Sequence, residues 1–118
     1  MPYKNLEAWK QSMNLVVEIY NETKKFPKEE IFGLSQQMRR SAVSIPSNIA
    51  EGCSRKGEKE TVQFLFMAKG SLAELETQVI ISNHVGYISD TLTKEINDKI
   101  DELKRILSGL IKLYKSKS

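Results

Sequence analysis

Cysteine is almost missing from this chain. Cys53 is the single one, so no intrachain disulfide can form, and a reducing compartment fits best. Histidine is as scarce, with only His84, which leaves little from which to build a metal site or a proton relay. Three prolines and six glycines are too few for a linker-rich or collagen-like chain. Long hydrophobic runs are also lacking. The longest, Phe64 to Ala68, falls far short of the ~20 residues of a membrane-spanning helix. The first residues, Met1 to Glu7, contain no apolar core of a secretory signal, so a cytoplasmic protein is expected. The sequon Asn21-Glu22-Thr23 means little without secretion. No segment alternates with period two long enough for a strand, and neither a repeat nor a low-complexity tract occurs. These absences exclude a disulfide scaffold, a membrane span and a large multidomain enzyme.

What is present is an ordinary soluble balance. The chain has 118 residues, 40% hydrophobic and 28% charged, enough for one domain over 1–118 with its own core. The net charge of +3 permits an anionic partner without requiring one.

Apolar residues recur at helical spacing in four segments. The first, from about Leu6 to Lys24, carries Trp9, Met13, Val16, Val17 and Tyr20 on one stripe, with Asn5 as the expected N-cap. The second opens near Lys28. Its stripe is Ile31, Leu34, Met38, Ala42, Ile45, Ile49 and Cys53. Pro46 falls inside it and removes the bond to the Ala42 carbonyl, so one continuous helix kinked at Pro46 is expected.

The third segment, near Glu58 to Val85, has a main stripe of Val62, Leu65, Phe66, Leu72, Ala73, Val79 and Ile80. Phe64, Met67, Ala68 and Leu75 widen it, and Gly70 and Ser71 are small enough for another backbone to approach. Gly86 suits the left-handed position after a helix. The fourth, Asp90 to Lys115, repeats Leu92, Ile96, Ile100, Leu103, Leu107, Leu110 and Tyr114 as a heptad seam. Ile106, Ile111 and Leu113 lie off it and imply a second apolar surface. The connections are about five residues each, so the expected fold is an all-α, up-down-up-down four-helix bundle.

Several patterns look like chemistry and fail. Gly52 to Lys59 echoes a phosphate-binding loop, but Glu58 stands where the lysine belongs, and the loop follows a helix rather than a strand. Glu74 and Glu76 lack the Glu-x-x-His partners of a di-iron bundle. Cys53 with His84 is the one nucleophile–base pairing the composition offers, and Cys53 reads better as a small hydrophobe. No catalytic residue, cofactor or metal site is expected, and the chain is not read as an enzyme.

The stretch from Gln37 to Gly52, QMRRSAVSIPSNIAEG, resembles the signature of the four-helix-bundle family encoded by intervening sequences of bacterial 23S rRNA genes. Phe64 to Thr77, Gly86-Tyr87-Ile88 and Leu6-Glu7-Ala8-Trp9 fit the same family. The resemblance implies a bacterial protein that assembles into a ring, with a homopentamer as the expected form. It also implies kinship with the basic accessory protein of diversity-generating retroelements, which binds nucleic acid. Gly57 replaces a common serine and loses half of a capping box with Glu60. Ser41 stands where alanine is common. Membership of the family does not by itself define an activity.

Two function classes compete. The first is a non-catalytic oligomer that binds RNA or DNA through Arg39, Arg40, Arg55, Lys56, Lys59, Lys104, Arg105, Lys112 and Lys115. Five basic residues and no acidic one occupy 104–118, so the rest of the chain is slightly acidic and the positive charge is local. Only Tyr114 stands near these residues in sequence as a stacking aromatic. The second is an interaction protein whose activity is assembly, with itself or with an unidentified protein. Phe64, Met67, Ile106, Ile111 and Leu113 are the candidate interface residues under either class.

Overall fold

The structure, a computed structural model, describes residues 2–117. Four helices follow in chain order: α1 (Glu7–Thr23), α2 (Leu34–Cys53), α3 (Glu58–His84) and α4 (Asp90–Lys115), with short 3-10 turns at Tyr3–Asn5 and Lys28–Glu30. Each helix packs on its predecessor, α4 returns onto α1, and the diagonal pairs do not meet. That is an antiparallel four-helix bundle, measuring 46 × 24 × 20 Å. Among the described residues no strand occurs.

The local chemistry explains most of the boundaries. Ser89 caps α4 by accepting the Leu92 amide at 3.1 Å. Beyond α3, Gly86 adopts φ +86°. The Tyr87 amide bonds the Ser82 carbonyl at 2.8 Å and the Gly86 amide bonds that of Asn83 at 3.0 Å, the paired bonds of a Schellman turn. α2 runs unbroken through Pro46, which is buried.

Two boundaries differ from expectation. Asn5 lies in the first 3-10 turn, and Leu6 takes the cap position of α1 without a side-chain bond. The second helix does not begin at Lys28. A 3-10 turn and a non-helical Gly33 precede α2, whose first amide, Leu34 N, is met by Glu30 Oε1 at 3.1 Å.

The core joins Leu15 and Ile19 of α1, Met38, Ala42, Ile45 and Ile49 of α2, Leu65, Ala68, Leu72, Leu75 and Val79 of α3, and Ile96, Ile100, Leu103, Leu107 and Ile111 of α4. The α1 stripe is therefore rotated from the expected one. Ala8, Ser12, Leu15, Ile19 and Thr23 face inward, while Met13, Val17 and Tyr20 are exposed. On α3 the core takes Ala68 and Leu75, and leaves Phe66, Ala73 and Ile80 outside. Ile111 is only 5% exposed and belongs to the core, not to a second surface. At 3.6 residues per turn, position 111 lies closer to the face of Leu107 than Leu110 does.

Candidate nucleic-acid interface

Antiparallel packing brings the start of α1, the end of α2, the start of α3 and the end of α4 to one end of the bundle. Two basic groups far apart in sequence meet there: Arg55, Lys56 and Lys59 around the α2–α3 turn, and Lys112, Lys115 and Lys117 at the end of α4. The turn is built tightly. Thr61 Oγ1 donates to the Gly52 carbonyl at 2.7 Å. A Cβ on Gly52 would lie 2.9 Å from Phe64 Cβ and 3.2 Å from the Thr61 carbonyl oxygen, so only glycine lets the helices approach this closely.

Arg55 is held at this end by acid and aromatic partners. Its guanidinium nitrogens lie 3.3 Å from Glu51 Oε2 and 3.9 Å from Glu60 Oε2, and its charge centre sits 4.9 Å from the Phe64 ring centre. Lys115 lies over Phe66 at 5.1 Å and Lys117 over Tyr114 at 5.5 Å. Tyr3 and Trp9 meet edge to face at the same end, 5.6 Å apart. Aromatics therefore interleave with the cations, including Phe64 and Phe66, which sequence proximity did not reveal. Lys56, Lys59 and Lys112 are exposed and make no ion pair among the described residues.

The other four basic candidates lie elsewhere. Arg39 is half-buried and ties α2 to α1: its Nε donates to Thr23 Oγ1 at 2.8 Å, and its guanidinium lies 4.7 Å from the Tyr20 ring centre. The fourteen helical steps from Arg39 to Cys53 at the end of α2, at about 1.5 Å each, put it roughly 20 Å along the bundle from the turn that carries Arg55. Arg40 is exposed on the outer ridge of α2. Lys104 is committed to Glu76 at 2.7 Å across the α3–α4 groove. Arg105 is exposed partway along α4.

The apolar candidates also separate. Met67 and Leu113 are 54% and 45% exposed. Phe64 is half-buried beneath Arg55. Ile106 packs against the core, and Ile111 lies within it. Phe66, Ile80 and Ile81 are also exposed on α3. Gly70, by contrast, faces open space.

Cys53 and His84 cannot act together. Cys53 ends α2 beside the start of α3, and His84 ends α3, whose 27 residues span about 40 Å. Burial pushes the Cys53 thiol above its ordinary range, and the neighbouring Tyr114 hydroxyl opposes that shift. Among the described residues, no group of three or more His, Cys, Asp or Glu side chains could hold a metal ion. No helix among them is long and apolar enough to cross a membrane.

Fold and surface thus define a small all-helical bundle with one basic, aromatic-studded end. The 23S rRNA-intervening sequence protein profile matches residues 4–109, and the chain belongs to that family. It is similar to a crystal structure from Bacteroides thetaiotaomicron, described as a protein of unknown function from the S23 ribosomal protein family. The two share 26% sequence identity with a TM-score of 0.82, covering 89% of this chain and 95% of that one. Comparison with curated proteins finds no match.

Proposed function

We propose that this chain is a non-catalytic, cytoplasmic, ring-forming bundle that binds RNA or DNA weakly and with little sequence preference. One observation carries this reading: Arg55, Lys56, Lys59, Lys112, Lys115 and Lys117 converge at one end among Phe64, Phe66 and Tyr114. Cations meet phosphates, and the rings of Phe64, Phe66 and Tyr114 hold three of those cations at the surface, a combination that tolerates any sequence. Among the described residues no set of side chains is arrayed for base-edge readout, so phosphate contacts dominate. The ring, its expected five-fold form and the kinship with the retroelement accessory protein come from the family resemblance. A ring would repeat one modest patch around an axis and so multiply its effect.

The test is an anisotropy titration with mixed-sequence RNA and DNA at low salt. Binding weakens steeply as salt rises. Replacing Arg55, Lys56 and Lys59 by alanine lowers affinity alike for unrelated sequences and flattens the salt dependence. The same holds for Lys112, Lys115 and Lys117. Absence of binding by the intact oligomer overturns the reading.

A second reading, assembly alone, is favoured by the exposed apolar residues of α3. Phe66, Met67, Ile80 and Ile81 are 47%, 54%, 39% and 44% exposed, two adjacent apolar pairs separated by about 20 Å along one helix, which another copy would cover. Light scattering at micromolar concentration decides whether they are covered by other copies.

A further inference from the structure

A pocket of about 280 Å³ lies between the α1–α2 connection and the first turns of α2, at the end of the bundle opposite the basic cluster. Lys24, Lys28, Ser35 and Arg39 give it a polar wall, and Pro27 and Ile31 an apolar one. No acidic side chain lines it. The acids of the same connection are engaged elsewhere or lie outside. Glu22 pairs with Lys25 at 3.3 Å, Glu30 is divided between the Leu34 amide and the Tyr87 hydroxyl, and Glu29 is exposed. None of the three cations makes an ion pair among the described residues. Arg39 is fixed through its Nε by Thr23 and through its face by Tyr20, which leaves its two terminal nitrogens as open donors. Ser35 is only 4% exposed, yet its hydroxyl has no hydrogen-bond partner among the described residues. Gln78 Oε1 and Asn97 Oδ1 are orphaned and sealed from solvent; the Ser35 oxygen is not sealed and belongs to a residue that lines the pocket. The Ser35 and Gln36 amides, in the first turn of α2, find no backbone acceptor, as at the positive end of any helix dipole.

We propose that this pocket binds the phosphate group of a small phosphomonoester. Its open polar groups are a guanidinium, two ammonium groups, a hydroxyl and a helix start, so the ligand must bring negative charge and several acceptor oxygens. A monoester phosphate brings nearly two charges and three strong acceptors. Arg39 and the Ser35 hydroxyl meet it from inside, the first turn of α2 adds the favourable dipole, and the exposed Lys24 and Lys28 close over it from solvent. A diester phosphate has one charge and one free oxygen fewer, and leaves part of this donor set unused. The pocket is larger than a bare oxyanion fills, and Pro27 and Ile31 offer a surface for the organic part of the ester. No covalent step is involved.

The experiment is an NMR titration of the full chain with phenyl phosphate, its methyl diester and inorganic phosphate. Phenyl phosphate is expected to give saturable shifts at the Ser35 and Gln36 amides and the Arg39 Nε–H in the millimolar range. The diester binds at least about tenfold more weakly, because it lacks one charge-assisted contact. Inorganic phosphate binds about threefold more weakly, because the apolar wall goes unused. Ser35→Ala removes a hydroxyl without a partner, so it keeps the melting temperature and weakens phenyl phosphate by about tenfold. Lys24→Gln with Lys28→Gln, both at exposed positions, weakens it by at least about threefold. Lys56→Gln with Lys59→Gln, at the other end of the bundle, leaves it unchanged. Each of four outcomes overturns the proposal: no saturation, equal affinity for the diester or for inorganic phosphate, undiminished binding by Ser35→Ala, or shifts centred on Lys56 and Lys112.

Discussion

The Tyr87 hydroxyl donates to Glu30 Oε2 at 2.9 Å, across 57 positions of sequence, while Glu30 Oε1 accepts the first amide of α2 from Leu34 at 3.1 Å. One carboxylate therefore caps a helix and ties the α1–α2 connection to the α3–α4 turn. Phe26 packs against the same tyrosine, ring centres 5.1 Å apart. The end of the bundle opposite the basic cluster is closed by this arrangement.

Glu30→Ala removes both bonds and is expected to cost about 1 kcal/mol through the lost cap alone. Tyr87→Phe removes one bond and lowers the melting temperature less. Urea denaturation of the two variants side by side measures the difference, and a larger loss for Tyr87→Phe contradicts the dual role of Glu30.

The same contact predicts an alkaline limit. The Glu30 hydrogen bond, with lesser help from burial, holds the Tyr87 hydroxyl above its ordinary value of 10.0. The folded state thus keeps the proton longer than the unfolded chain. The stabilisation is complete below pH 10 and is lost as pH rises through the folded-state value. Thermal unfolding across that range should fall more steeply for the native chain than for Tyr87→Phe.

Two glycines should answer oppositely to alanine. At Gly52 the added Cβ meets Phe64 Cβ at 2.9 Å, and Gly52→Ala is expected to cost about 1–3 kcal/mol as α2 and α3 are forced apart. At Gly70 nothing lies within 4 Å, and Gly70→Ala should stabilise α3 by about 0.5–1 kcal/mol. Chemical denaturation gives both values.

Ile111 and Leu113 provide a test of core against surface. Ile111→Ala should lower subunit stability by about 2–5 kcal/mol. Leu113→Ser, at a position 45% exposed, should change it by under about 0.5 kcal/mol. An effect of Leu113→Ser on sedimentation but not on unfolding would place that residue between subunits.

The Pro46 imide cannot bond the Ala42 carbonyl, so an axis bend above about 20° is expected within the unbroken α2. Residual dipolar couplings measured separately for residues before and after Pro46 report the angle. Collinear halves would show that neighbouring packing straightens the helix.

Charge shows where reading the sequence succeeds and where it stops. Arg55, Lys56 and Lys59 are adjacent in the chain, as are Lys112, Lys115 and Lys117, so each group is visible as a local concentration. That the two groups share one end follows once four antiparallel helices are recognised. That Lys104 is committed to Glu76, and Arg39 to Thr23 and Tyr20, does not follow. Such pairings depend on the angular setting of neighbouring helices, and the separation in sequence carries no record of it.

Helix number, order and approximate length were determined by the sequence itself, because apolar periodicity and Gly86 act locally on the backbone. Asp90 and Lys115 could be read as the ends of α4 for that reason. Which face turns inward was left to the tertiary structure wherever a helix is apolar on more than one side. α1 offers Met13, Val17 and Tyr20 as readily as Leu15 and Ile19, and α3 offers Phe66 and Ile80 as readily as Ala68 and Leu75. Burial rewards either choice about equally for a single helix. Only close packing against two neighbouring helices, where the small Ala68 is fully buried and the larger Phe66 is left outside, selects one rotation from the two.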